Sequence, residues 1–325
     1  MQKEKVIVIC GPTASGKTVL SIELAKQING EIVSADSMQI YKDMDIGTAK
    51  PTKEEMQGIN HYLIDFVSPD ERYSVADYKQ DAKKAIREIL KKGKVPIIVG
   101  GTGLYIDSLI YEIEYPNIKF DEEYRKKLEK EAEENGLEKL YEKAKEIDIE
   151  AIQKISKNDK KRVLRILEIY HATGKNKTEQ EKESRKKEIE FDYKVYALKW
   201  DREKLYERIN KRVDIMLEQG LIEEVKGVCE KYNKFPTAMQ GLGYKEVIEY
   251  LENKTTKEEM IKKIKQETRR YAKRQMTWFR KNKQTIWLNG EDKKQNNTQI
   301  ILGELIWKNK KKSLMKNLSK KKIQL

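Results

Sequence analysis

Apolar residues follow two rhythms along this chain, and its first segment contains both. Val6-Ile7-Val8-Ile9-Cys10 is an unbroken apolar run, the pattern of a strand buried on both faces. From Val19 to Ala25 the apolar residues are spaced for a helix. Between them stands Gly11-Pro12-Thr13-Ala14-Ser15-Gly16-Lys17-Thr18, so strand, glycine turn and helix follow in order. Glu31 to Ala35 predicts a second strand, which delivers Asp36-Ser37-Met38-Gln39 at its carboxyl end. His61 to Phe66 predicts a third, and Val95 to Val99 a fourth that runs into Gly100-Gly101-Thr102-Gly103. Val75 through Leu90 reads as an amphipathic helix carrying Val75, Tyr78, Ala82, Ile86 and Ile89 on one face.

The pattern changes from about Phe120 to Glu190. Proline is absent there, glycine is rare and charges dominate, which predicts a helical insertion with a solvated surface. Within it Asp159 to Glu168 is a tighter amphipathic helix that puts Arg162 and Arg165 on one face. Tyr193 to Trp200 returns to a strand pattern, and Asp201 is placed to cap the next helix. That helix turns Leu205, Ile209, Val213 and Met216 inward and sets Arg208 near Arg212. Ile261, Ile264, Thr268, Tyr271, Gln275 and Trp278 form a packing seam on the last strong helix, whose remaining surface is crowded with Lys and Arg. So basic a helix favours an anionic neighbour such as RNA. The Lys-rich stretch from Lys308 to Leu325 reads as a frayed tail without a role.

The glycine loop brings the first chemistry. Its glycines allow successive backbone N–H groups to converge on an anion at a positive helix end. Lys17 adds a mobile charge, and the Thr18 hydroxyl can ligate Mg²⁺. The loop asks for a phosphate or diphosphate and leaves its owner open. In a parallel sheet, ligands sit beyond the carboxyl ends of the strands, so Asp36 looks into the same crevice as Lys17. The glycines at 100–103 allow close backbone approach to a ligand.

The chain has 325 residues, enough for one large α/β domain and a smaller one. Lys and Arg total 68 against 54 Asp and Glu, a net charge of +14. This excess points to nucleic acid first and a membrane surface second, or reflects a lysine-rich composition alone. Cys10 and Cys229 are the only cysteines and lie in apolar runs, which predicts buried thiols in a reducing cytosol. With His61 and His171 the only histidines, a His-based zinc site or triad has little to draw on. No signal peptide or membrane-spanning run is visible, and a cytoplasmic protein is expected.

Taken together, these segments resemble the tRNA dimethylallyltransferases, also called tRNA isopentenyltransferases. The matching pieces are GPTASGKT at 11–18, SADSMQIYKDMDIGTAKP at 34–51, HYLID at 61–65 and GGTGLYI at 100–106. NDKKRVLRILE at 158–168, DREKLYERINKRVDIMLEQGLIEEV at 201–225, GLGYKE at 241–246 and TRRYAKRQMTWFR at 268–280 complete them. His61-Tyr62 stands where a His-His pair is common, and Gly241 replaces a usual alanine. The stretch after Gly174 lacks the usual proline and serine.

The resemblance implies a P-loop NTPase-like parallel sheet flanked by helices, spanning 1–118 and 193–325. A mostly helical insertion at 119–192 would contact the tRNA anticodon stem-loop. It implies transfer of the dimethylallyl group of dimethylallyl diphosphate to N6 of adenine 37, giving N6-isopentenyladenosine, by a monomeric protein that uses Mg²⁺. Asp36 matches the family's general base. Gly11, Pro12, Thr13, Ala14, Ser15, Gly16, Lys17 and Thr18 match the diphosphate cradle, with the amides of 13–18 as donors and the metal held through Thr18. Arg212, favoured over Arg208 by the motif, would reach the diphosphate, and Thr102 would stand beside the transferring centre and the tRNA. Asp36, Ser37, Met38 and Gln39 would meet the base, with Gln39 both donating and accepting. Arg125, Lys160, Lys161 and Arg162 would meet backbone phosphates. The loop pattern is shared with nucleotide kinases, so ATP is a further ligand to weigh. The rival readings are a prenyltransferase for free adenine nucleotides, a small-molecule kinase and a non-catalytic RNA-binding protein.

Overall fold

The computed structural model describes residues 3–115, 121–184, 188–292 and 295–305. The tail from Lys308, and the expected domain boundary at 118/119, lie outside these residues. Six strands form one parallel sheet: β1 (Lys5–Cys10), β2 (Gly30–Ser34), β3 (His61–Tyr62), β4 (Val95–Gly100), β5 (Asp192–Lys199) and β6 (Ile286–Asn289). Their order is β3-β2-β4-β1-β5-β6. The unbroken apolar run puts β1 in the middle, with Cys10 aligned to Gly100 of β4 and Ala197 of β5. Val6 through Cys10 are fully buried, as a strand covered by helices on both faces must be.

Helices α1 (Lys17–Ile28), α2 (Lys53–Met56), α3 (Val75–Lys91) and α4 (Gly103–Ile110) follow the first four strands and their loops. Next come α5 (Glu122–Asn135), α6 (Leu137–Ile147), α7 (Ile149–Ile152), α8 (Lys160–Thr173) and α9 (Lys177–Ser184). After β5 the chain forms α10 (Arg202–Glu218), α11 (Leu221–Lys231), α12 (Tyr244–Leu251) and α13 (Lys257–Phe279). Asp201 caps α10 by accepting the amides of Glu203 and Lys204. Ser74 and Thr256 open α3 and α13 with reciprocal capping boxes.

The chain divides into two compact units, Met1–Ile106 with Phe191–Leu325, and Asp107–Glu190. The division falls within α4, ahead of the loop in which the sequence pattern changes. The smaller unit has its own core of Leu128, Leu140, Val163, Leu164 and Ile166 among others. Buried Asp148 ties it together by accepting from the Ala151 amide and from both the amide and hydroxyl of Thr178.

Two sequence expectations are corrected. The third strand stops at Tyr62, because Leu63 and Asp65 adopt left-handed backbone that no strand continues. The freed segment turns instead and donates the amides of Asp65, Phe66 and Val67 to the carbonyls of Gln39 and Ile40. Of the two thiols, Cys10 is buried and Cys229 only half-buried on α11.

Candidate active site

The glycine loop leaves β1 through Gly11 and enters α1 through Gly16, both at positive φ, with Ala14 left-handed between them. Partners far away in sequence hold it. The Trp200 indole N–H donates to the Ser15 carbonyl at 3.0 Å, and Arg208 Nε donates to the Ala14 carbonyl at 2.8 Å. The Arg208 guanidinium also lies 4.4 Å from the centre of the Trp200 ring. Gln275, buried on α13, accepts the Thr13 amide and donates to the Gly101 carbonyl, each at 2.9 Å. One side chain thus clamps the glycine loop to the loop after β4. The Thr13 amide is taken by this clamp and the Ser15 amide by the Pro12 carbonyl, which leaves the amides of Ala14, Gly16, Lys17 and Thr18 as the candidate anion donors.

The glycine cluster at the end of β4 is packed closely by the chain's own parts. A Cβ at Gly100 would lie 2.1 Å from the Ala35 carbonyl oxygen, and one at Gly101 2.3 Å from Gln275 Nε2. At Gly103 it would meet the Trp278 indole at 2.3 Å. The close approaches are therefore made by the chain's own parts, although Gly100 and Gly101 also line the site. Thr102 fixes the neighbouring loop, its Oγ accepting the Ser37 amide at 3.0 Å and donating to Ser37 Oγ.

Asp36 follows β2 and bends the chain at once. Its Oδ1 accepts the amides of Met38, at 2.9 Å, and Gln39, at 3.4 Å. Both bonds fall on one oxygen, which leaves Oδ2 the better placed to take a proton. Gln39 donates Nε2 to the carbonyls of Thr48 and Ala49, so its expected donor role toward a base is already filled by the loop.

A cavity of about 350 Å³ joins these pieces. Its wall includes Thr13, Lys17, Thr18 and Arg212, and also Asp36, Ser37, Met38 and Gln39. Val213, Met216, Leu221, Leu242 and Ile264 supply apolar surface, and Thr268, Tyr271 and Arg274 bring the α13 seam into it. Thr18, Arg212 and Met216 also line a second cavity, of about 720 Å³. A Cβ at Gly241 would stand 3.1 Å from Met38 Sδ and 3.2 Å from the Tyr244 ring.

The charges in the cavity act on one another. Lys17 Nζ donates to the Pro12 carbonyl at 2.7 Å. Removal from water lowers its pKa to about 8, Asp36 opposing that shift and Arg212 adding to it. Burial also lowers Arg212, again against the pull of Asp36. Burial and Asp36 together raise the Tyr271 phenol. Three cations, Lys17, Arg212 and Arg274, and one carboxylate, Asp36, around the cavity leave an excess positive charge, suited to a polyanion.

Arg208 and Arg212, which spacing alone leaves as rivals, have different places. Arg208 braces the outside of the glycine loop, and Arg212 faces the cavity. In the helical unit, Arg125 pairs with Glu129 and with buried Glu168, each at 2.8 Å, so its charge is balanced locally. Lys160 lies 3.5 Å from Glu133, and Arg162 pairs with the α8 cap Asp159 at 3.4 Å while staying largely exposed. Lys161 is exposed on the same turn. The sequence reading missed Trp200 and Gln275 as loop supports. A polar residue on the packing face of α13 was the available signal for Gln275.

Fold and cavity define a phosphate-loop α/β protein with an acidic residue and a cationic cradle in one chamber. The family model for IPP transferases matches residues 39–282. The tRNA dimethylallyltransferase of Acetivibrio thermocellus is 56% identical over 290 residues, covering 89% of this chain and 93% of that protein. The one from Bacillus cereus is 50% identical over 292 residues, covering 90% and 92%. Among solved structures, the full-length tRNA isopentenylpyrophosphate transferase of Bacillus halodurans is 40% identical with a TM-score of 0.72, covering 97% of this chain and all of that one. A eukaryotic dimethylallyltransferase captured acting on tRNA is 33% identical with a TM-score of 0.74, covering 89% and 74%. The chain belongs to the IPP transferase family, the tRNA dimethylallyltransferases, and is an enzyme of the prenyltransferase class. Among the described residues no helix is long and apolar enough to cross a membrane.

Proposed function

We propose that the chain transfers the dimethylallyl group of dimethylallyl diphosphate to N6 of adenine 37 in tRNA, with Asp36 as the general base. The observation that carries this reading is the one cavity lined both by Lys17, Thr18 and Arg212 and by Asp36 to Gln39. As the N6–carbon bond forms, the allylic carbon–oxygen bond breaks and its electron pair leaves with the diphosphate. The N6 proton passes to Asp36 Oδ2, because the amine lone pair is conjugated with the ring and attacks poorly while the proton remains. Met38 and Gln39 hold the carboxylate in position through Oδ1.

The departing diphosphate gains charge, which fixed donors stabilise best. The amides of Ala14, Gly16, Lys17 and Thr18, the Lys17 ammonium and the Arg212 guanidinium are the donors available. Mg²⁺ fits this set as a partner of the diphosphate. Thr18 offers a hydroxyl at the start of α1, and phosphate oxygens and water would complete the shell. Among the described residues no three or more His, Cys, Asp or Glu side chains cluster so as to hold a metal ion. When bound, the ion would neutralise charge on the leaving group. Lys160, Lys161, Arg162 and the basic face of α13 are suited to RNA backbone phosphates, which position without specifying.

Mass analysis of the acceptor tests the reading. Incubation with dimethylallyl diphosphate and Mg²⁺ is expected to add one C₅H₈ unit to adenine 37 of an anticodon stem-loop. Transfer to AMP or ADP in preference to tRNA, or phosphoryl transfer from ATP without prenylation, would overturn it.

A further inference from the structure

The loop from Asp36 to Lys50 contains no helix or strand, only an isolated bridge between Tyr41 and Val67. Its middle converges on a carboxylate from elsewhere in the chain. Glu224, on the first turn of α11, accepts the amides of Asp45 at 2.8 Å and Ile46 at 2.6 Å on Oε2. On Oε1 it accepts the Gly47 amide at 3.0 Å and the Tyr244 hydroxyl at 2.6 Å. Three successive amides aimed at one anion form a nest, and here the chain supplies its own anion. Gly47 packs so closely on Tyr244 that a Cβ would lie 2.5 Å from the ring. Gly47, Thr48 and Tyr244 all line the cavity that holds Asp36 and Lys17.

We infer that Glu224 is a positioning residue for the transfer, fixing one wall of the reaction cavity through Asp45, Ile46, Gly47 and Tyr244 without touching substrate. The inference rests on the prenyl-transfer reading of that cavity. Thr48 and Ala49, next along the loop, hold the Gln39 side chain, and Gln39 follows the turn that aims Asp36. Loosening 45–47 therefore loosens the support of the base as well as the cavity wall. Reaction geometry is sensitive to shifts of about 1 Å, which can cost on the order of 10²-fold in rate.

The test compares Glu224→Gln and Glu224→Ala in the full chain, by steady-state prenylation of tRNA and by amide hydrogen exchange. Glutamine can accept on one oxygen only, so one pair of donors loses its partner. The expected result is a kcat lower by about tenfold for Gln and about a hundredfold for Ala. The KM for dimethylallyl diphosphate should stay within about twofold, since the glycine loop keeps its supports. Exchange should rise at the amides of Asp45, Ile46 and Gly47 and stay slow at Val225 and Val228 of α11. Exchange rising throughout α11 would mean a folding role and would overturn the inference. So would unchanged exchange at 45–47, or a normal kcat with those amides freed. If Ala does not fold, Gln carries the test. Absence of prenylation by the unaltered chain would sink the functional reading alone, because the exchange experiment reports independently on the hold of Glu224 over 45–47.

Discussion

Two loops of the larger unit line one cavity, yet sequence specifies them over different ranges. The glycine loop at 11–18 has its turn written locally, with two glycines at positive φ leading into the lysine and threonine that open α1, and Trp200, Arg208 and Gln275 brace a form already encoded. The loop at 36–50 has no such code. Its form depends on Glu224, Tyr244, Thr102 and the turned segment at 65–67, all distant in the chain. The first loop presents a cradle that any phosphate-loop protein could use. The second presents Asp36, the proposed base, and distant partners fix the wall around it.

This contrast predicts that changes in the two loops fail differently. Asp36→Asn should lower turnover by about 10²–10⁴-fold while tRNA still binds, since the role proposed for the lost group is to take a proton in the transition state. Turnover within a few-fold of normal would remove Asp36 from the chemistry. Arg212→Ala should lower turnover by about 10²–10³-fold through the leaving group. Arg208→Ala, which loses a brace outside the cavity, should cost about tenfold or less. Equal effects from the two arginines would erase the distinction drawn from their positions.

Gln275→Leu tests whether the two loops are coupled. It leaves the Thr13 amide and the Gly101 carbonyl without partners, a penalty of about 1–3 kcal/mol for each group if buried. A loss in turnover of about ten- to a hundredfold is expected, together with a lower melting temperature. A stable, fully active variant would show that the clamp is dispensable.

Legibility followed the same division. The run into Gly11–Thr18, the central strands, the Asp201 cap and the separate character of 120–190 can all be read from short-range pattern. The end of β3 cannot, because what stops it is left-handed backbone at Leu63 and Asp65 that lets the segment support Gln39 and Ile40. Nor can the role of Glu224, one glutamate among many on an amphipathic helix. Gln275 left a trace as a polar residue on a packing face. The glycines at 100–103 signalled close approach correctly, but pattern could not say that Ala35, Gln275 and Trp278 make it.

Smaller effects sharpen the comparison further. Lys17 titrates near 8, below the ordinary lysine value of 10.5. The free protein therefore carries the full cost of burying that charge below about pH 8 and recovers it as pH rises toward 10.5. Binding of dimethylallyl diphosphate runs the other way. Its KM should climb above about pH 8, where Lys17 loses its proton, and a flat profile to pH 10 would deny Lys17 the diphosphate. In the helical unit, replacing Lys160 or Arg162 by Ala should reduce the salt slope of tRNA binding by about one each. An unchanged slope would remove that residue from the interface.

Donor binding measured beside turnover in Lys17→Ala and Asp36→Asn tests the central claim most directly. The account predicts that Lys17→Ala weakens dimethylallyl diphosphate binding by about tenfold or more. Asp36→Asn should bind it at least as well as the unaltered chain, with prenylation strongly reduced in both. Equal loss of donor binding in the two variants, or normal prenylation by Asp36→Asn, would contradict it.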